Sequence, residues 1–239
     1  PADGYTLLMM SNTQTVNESL VPNKPFALMK DFVGIAPVNY SNLLLVVHPS
    51  VPAKTVAELV ALAKSKPGKL NYASSGNGTP YHMAGELFKY MAGVDMTHVP
   101  YKGSSGARTD IVGGQVDVMF DAETTMAEFA RGGKVRALGG TGLVRSANLQ
   151  ELPTVAETVP KYEATIWLGL MAPKGTPADV VSKLNAAVRK IVNTPEVKTA
   201  WAKQGAVPMS MNVAEFEQYL NADIAKWTNI VKVSGAKPD

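Results

Sequence analysis

Residues 70–92, LNYASSGNGTPYHMAGELFKYMA, pass from an extended apolar segment through a loop of small polar residues into an amphipathic helix. That order constrains the chain more than any other feature. It sets the loop's backbone N–H groups, with the hydroxyls of Ser74, Ser75 and Thr79, at the positive end of a helix dipole, where an anion binds readily. The unit recurs at 96–112 (MTHVPYKGSSGARTDIV), and a related one spans 116–131 (VDVMFDAETTMAEFAR). Three such junctions in succession describe an open α/β sheet whose strand ends line a ligand crevice.

The flanking segments extend the pattern. GYTLLMMSN (4–12) reads as a buried strand, and 13–31, broken by Pro22 and Pro25, as irregular or briefly helical. Two apolar runs, 32–38 and 43–47, enclose the polar stretch Asn39 to Asn42, which is expected to be a crossing between two lobes. Thr55 with Glu58 predicts a capped helix over about 56–66. VRALGG (135–140) is a further strand, and 152–177 a second long connection that returns near Tyr162–Trp167. Thr176-Pro177 and Thr194-Pro195 read as an N-cap followed by Pro at the first helical position, and Asn212 with Glu215 caps a last helix that stops at Gly235. The βα alternation favours a mostly parallel sheet. The two crossings divide the chain into lobe A (1–40 and 166–239) and lobe B (41–165), a hinged clamp of the kind that closes on a ligand.

Composition removes several functions. There is no cysteine, so thiolate catalysis, disulfides and cysteine-ligated metals are excluded. The formal net charge is +3, and the basic residues are scattered rather than clustered, so nothing points to nucleic acid. No apolar run reaches the roughly 18 residues of a membrane span, so direct membrane insertion is not expected. His48, His82 and His98 have neither metal-ligand spacing nor a telling carboxylate and read as structural. Trp167, Trp201 and Trp227 fall on apolar faces and read as core.

The candidate site residues are Ser74, Ser75, Gly76, Asn77, Gly78 and Thr79, then Lys102, Gly103 and Ser104, then Asp121, with Ser11, Asn12 and Thr13 ending the first strand. GNGTPY (76–81) begins like a dinucleotide fingerprint, but Tyr81 stands at the third glycine and VPY (99–101) ends the next strand where an acidic residue would hold a ribose, so no nucleotide cofactor is expected. An anion needs only the glycines, the hydroxyls and the helix start. A turn requiring only glycine's freedom is the alternative, and the complete strand–loop–helix order favours the anion. Lys102 is either a second anchor or a solvated lysine. Asp121 is either a ligand acceptor or a helix cap, and Ser11–Thr13 either line the crevice or cap a helix.

PADGYTLLM, the run from VHPSVPAKTVAELV through SSGNGTPYHMAGELF, VDMTHVPYKGSSGARTDIVGGQVDVMFD, LPTVAE and WLGLMAPKGTP together resemble the tripartite tricarboxylate transporter substrate-binding proteins, the Bug or TctC family. The resemblance covers the chain from Pro1 to its end. It implies a two-lobed, type II periplasmic binding protein, with parallel-rich sheets and helices on both faces. Such a protein is not an enzyme. It captures a small carboxylate through main-chain N–H groups and hydroxyls and delivers it to membrane transporter subunits. It also implies, ahead of the stretch matching PADGYTLL, a secretion signal, a first strand, a glycine-rich loop ending in Asp, and a helix. The sequence is therefore expected to begin inside a longer chain, with lobe A incomplete at its N-terminus. A smaller departure is Ala122-Glu123-Thr124 after Asp121, where the family more often shows Asn and then an apolar-Pro stretch. Two other functions compete: a sensor partner that presents its ligand to a receptor, and a small-acid hydrolase or isomerase drawing on Asp121, Lys102 and His82.

Overall fold

The computed structural model describes residues 1–238. In chain order the elements are β1 (Leu8–Ser11), α1 (Asn12–Leu20), α2 (Leu28–Asp31), β2 (Phe32–Val47), α3 (Val56–Ser65), β3 (Asn71–Ser74), α4 (Pro80–Ala92), β4 (Thr97–Pro100), α5 (Ser104–Val112), β5 (Val118–Ala122), α6 (Glu123–Arg131) and β6 (Arg136–Gly140). A short 3-10 turn at Val155–Glu157 precedes β7 (Thr165–Pro173), α7 (Ala178–Val192), α8 (Pro195–Ala202), β8 (Ala206–Pro208) and α9 (Val213–Ser234).

The polar stretch Asn39 to Asn42 does not interrupt the chain's path. β2 runs straight through it as one 16-residue strand. From Phe32 to Asn42 it pairs with β7, and from Asn39 to Ser41 also with β8; from Leu43 onward it pairs with β5 and β6. A strand bonded on both edges satisfies its N–H and C=O groups whatever its side chains are, so polarity alone does not end it. Among the described residues the parallel strand pairs are β3 with β4 and β3 with β5, beside an isolated parallel bridge from Gly140 to Thr154; every pair made by β2 or β7 is antiparallel. The sheet is therefore mixed, less parallel than the βα alternation suggests, because both long strands run against their neighbours.

Side chains alternate across the sheet as strand geometry requires. Leu43, Leu45, Val47, Tyr72 and Phe120 face a core completed by Met83, Leu87 and Phe88 of α4, Val16 and Leu20 of α1, and Trp227 and Ile230 of α9. Leu44, Val46, Ala73 and Met119 face the opposite core, against Ala107 and Ile111 of α5 and Met126 of α6. Helices thus cover both faces, the α/β class expected. α1 and α9 matter for the site, because they pack over the face from which the 74–79 loop emerges.

Several local expectations hold and others do not. Thr55, Thr194 and Asn212 accept from the backbone N–H groups three residues on, and Asn212 with Glu215 forms the full capping box. Thr176 does not cap: Pro177 is the cap residue and the Thr176 hydroxyl donates to Pro173 O at 2.8 Å. The segment after the first strand is a true nine-residue helix, α1. Trp167 and Trp227 are core, whereas Trp201 is only half-buried because α8 buries none of its residues.

Candidate functional site

Two loops and the direct β5–α6 junction lie at the C-terminal ends of β3, β4 and β5. The 75–79 loop and the 101–103 loop are joined by Gly103 N–H donating to Ser75 O at 3.1 Å. Gly76 has φ +129°, and a Cβ there would stand 3.1 Å from Tyr101 O, so the two loops touch through a position that only glycine fits. Gly78, at φ +71°, meets Leu20 and Asn17 of α1, where a Cβ would overlap the Leu20 side chain. Thr79 is the N-cap of α4, with Pro80 at its first position, and its hydroxyl both accepts from His82 N–H and donates to Gly76 O.

Several of the loop N–H groups are already committed to protein acceptors. Gly76 N–H donates to Ser74 Oγ, Gly78 N–H to His82 Nδ1, and Thr79 N–H to Gly76 O. Among the described residues no protein acceptor meets the Ser75 or Tyr81 N–H groups. α5 starts at Gly103 without a side-chain cap, which leaves its first N–H groups beside Ser104 without an internal partner. The N–H groups without a protein acceptor are therefore spread over two helix starts instead of being concentrated in the 74–79 loop.

Asp121 does not take the capping role, and its carboxylate is committed to a neighbouring side chain. It is fully buried, and its carboxylate is gripped by Arg108, with Nε donating to Oδ2 at 2.5 Å and Nη2 to Oδ1 at 3.0 Å; Oδ1 also accepts its neighbour's Ala122 N–H. α6 has no side-chain cap. The hydrogen bonds to Asp121 raise the already high pKa of Arg108, so the guanidinium is permanently charged. Its side chain is 23% exposed, and Nη1 makes no hydrogen bond among the described residues. Tyr81 lies beside this pair and Ser104. Burial, then the negative charge of Asp121, pushes its phenol up to about 12, so it remains a neutral donor. Lys102 is exposed and makes no ion pair among the described residues.

Ser11, Asn12 and Thr13 open α1. Ser11 and Gln14 form a capping box, Thr13 N–H donates to Ser11 Oγ, and Asn12 Nδ2 donates to Thr165 O at 2.8 Å. They therefore tie α1 to the start of β7, and α1 approaches the 74–79 loop through Asn17 and Leu20 instead. Asn12 Oδ1 and Glu123 Oε2 are buried acceptors with no protein partner among the described residues. Both residues are the first of a helix that follows a strand's C-terminal end. Burial raises the pKa of Glu123, while the Ser146 hydroxyl, donating to Oε1, opposes the rise. Among the described residues no cluster of His, Asp and Glu could hold a metal.

Arg108, Tyr81 and Glu123 are functional candidates that spacing along the sequence missed. One signal was available for Arg108: it lies four residues after Ser104, hence on the same helix face. Tyr81 and Glu123 meet their partners only through tertiary packing.

A mixed α/β sheet with helices on both faces is also the fold of solved periplasmic binding proteins that this chain resembles. The chain belongs to the TctC family, the tripartite tricarboxylate transporter family receptor, whose profile matches residues 1–236. BugT of Bordetella pertussis is 33% identical over 239 residues, covering 99% of this chain and 73% of that protein. Rpa4515 of R. palustris, solved with adipate, superposes with a TM-score of 0.91 at 32% identity, covering all of this chain and 81% of its own. MatC from Rhodopseudomonas palustris, with bound malate, superposes at 0.84 with 30% identity, covering 97% of this chain and 80% of its own. No described helix is long and apolar enough to cross a membrane.

Proposed function

We propose that this protein is a periplasmic receptor that captures a small dicarboxylate in the crevice between two lobes, residues 1–40 with 166–239 and residues 41–165. It hands the ligand to the membrane subunits of a tripartite tricarboxylate-type transporter. The observation that carries the reading is the convergence of the α4 and α5 starts with Arg108 at the ends of β3, β4 and β5. One carboxylate would take the Ser75 and Tyr81 N–H groups and the Tyr81 and Ser104 hydroxyls. Ser74, Gly76, Asn77, Gly78, Thr79 and Gly103 shape that pocket, and Asp121 holds Arg108 in place. Lys102 adds distant attraction. Ser11, Asn12 and Thr13 act from the other lobe only by fixing where α1 lies, since they cap that helix and tie it to β7. The adipate- and malate-bound relatives support a dicarboxylate, since both of those acids carry two carboxyl groups.

Binding of this kind needs no bond to be made or broken, so the chain is read as a carrier and not an enzyme. Thermal shift with adipate, malate and a monocarboxylate control tests it. A ligand at about a hundred times its Kd should add roughly 2.7 kcal/mol to stability, which for a chain of this size is on the order of 5–10 °C. A midpoint that no acid moves, or an acid consumed over hours of incubation, overturns the reading.

A further inference from the structure

Two of the three histidines stand directly behind the 74–79 loop, on the two elements that flank β3. His82 is in the first turn of α4 and His98 is on β4. Their rings stack at 3.9 Å between centroids with 8° between planes, and His98 stacks in turn on Tyr72 at 4.8 Å. Each ring holds a different part of the loop. Gly78 N–H donates to His82 Nδ1 at 3.0 Å. His98 Nε2 is bonded to Ser74 Oγ at 2.7 Å, and the same hydroxyl accepts Gly76 N–H at 3.1 Å. The peptides held in this way belong to the two glycines at positive φ, which have the widest conformational choice in the loop.

A ring nitrogen that accepts a backbone N–H carries no proton, so His82 is held as the Nε2–H tautomer. Its Nε2 lies 4.0 Å from Glu86, whose Oε1 already accepts from Tyr72 OH and Lys89 Nζ. The charged and titratable groups around His82 are thus Glu86 and Lys89 on α4, Tyr72 on β3 and His98 on β4. α1 and α9 bring Asn17, Leu20, Trp227 and Ile230 to this side, all uncharged. The nearby α9 charges are occupied elsewhere: Asp223 by Thr15, Trp167 and Trp227, and Lys226 by Glu163 O. Burial and the Lys89 charge hold the His82 pKa down, to about 4. A proton on Nδ1 sets two donors against each other, and the Gly78 peptide has to turn away.

We propose that His82 and His98 are positioning residues for the ligand loop: as a stacked pair they aim the Gly76 and Gly78 peptides, and a proton on His82 releases Gly78 and weakens the hold on the ligand. The ligand half of this proposal rests on the receptor reading given above; the positioning half does not.

Nitrogen-15 NMR of the ligand-free protein tests the positioning half. In the wild type the Gly78 amide resonance should move with protonation of the His82 ring. In His82→Asn, whose side-chain oxygen keeps an acceptor near the Nδ1 position without titrating, the Gly78 resonance should stay flat over the same pH range. A Gly78 resonance indifferent to His82 protonation in the wild type overturns the proposal. Calorimetry with adipate at neutral pH tests the ligand half. His82→Leu, its fold checked by circular dichroism, should bind about tenfold more weakly, as expected for one misplaced hydrogen-bonding peptide, while His82→Asn stays within about threefold of the wild type. Wild-type affinity in His82→Leu overturns it. If the wild type binds neither adipate nor malate, the receptor reading loses its ligand class, and the NMR result still decides the role of the histidines.

Discussion

At the scale of single residues the site depends on backbone placement more than on charge, and two substitutions separate these contributions. Gly76→Val puts a β-branched side chain at φ +129° and 3.1 Å from Tyr101 O, so the 74–79 and 101–103 loops must part. Lys102→Ala removes a charge that is exposed and unpaired among the described residues, and surface charges contribute at most about 1 kcal/mol. Calorimetry with adipate should therefore show Gly76→Val abolishing binding and Lys102→Ala weakening it by about threefold, in keeping with that small surface contribution; the reverse ranking means that charge pairing carries the site. The sequence pointed to two loops that the fold brings into contact, 75–79 and 101–103, because glycine and hydroxyl residues between a strand and a helix stand out. It gave no sign of the Asp121–Arg108 pair, because Arg108 lies 13 residues earlier on another element and the two meet only when α5 packs against β5.

At the scale of elements, the clearest sequence signals were those settled within one turn of chain. The capping residues Thr55, Thr194 and Asn212 stand where the helices begin. Thr176 failed because its hydroxyl found Pro173 O first, a contact that depends on how β7 ends. The histidines were read as structural because the stack forms only when α4 and β4 flank β3, which no spacing in the sequence reveals. Their packing has a cost that pH exposes. The fold lowers the pKa of His82 from 6.5 to about 4, so between those values the unfolded chain binds a proton that the native state refuses. The contribution is complete above about pH 6.5 and lost as pH falls toward 4, by up to roughly 3 kcal/mol. Denaturant unfolding at pH 7 and pH 4.5 should show wild type losing more stability than His82→Asn. The difference between the two proteins isolates His82 from Glu123 and Asp223, whose raised pKa values act in the opposite direction. Equal losses in both proteins would remove His82 from the account.

At the scale of the molecule, alternating strands and helices made the α/β class legible. The continuity of β2 was not, since Asn39 to Asn42 resemble a loop until β7 and β8 supply their backbone partners. That strand also fixes when the parts can assemble as the ribosome delivers them. Leu43–Val47 find β5 and β6 within the next hundred residues, whereas Phe32–Asn42 wait for β7 and β8, and Leu8–Ser11 pair with Leu168–Met171. At a synthesis rate of about 5–20 residues per second, the first half of β2 spends on the order of ten seconds without either neighbour. Its apolar residues, Val33 and Ile35 among them, are exposed on an open edge throughout that interval. Refolding with pulsed hydrogen exchange should therefore protect amides of β3, β5 and Leu43–Val47 before those of β1 and Phe32–Asn42, and simultaneous protection would show that the two ends of β2 form together. With protection in that order, the period of greatest exposure to wrong pairing falls in the interval before β7 and β8 are made, on the same strand that later pairs with β7 and β8 at one end and β5 and β6 at the other.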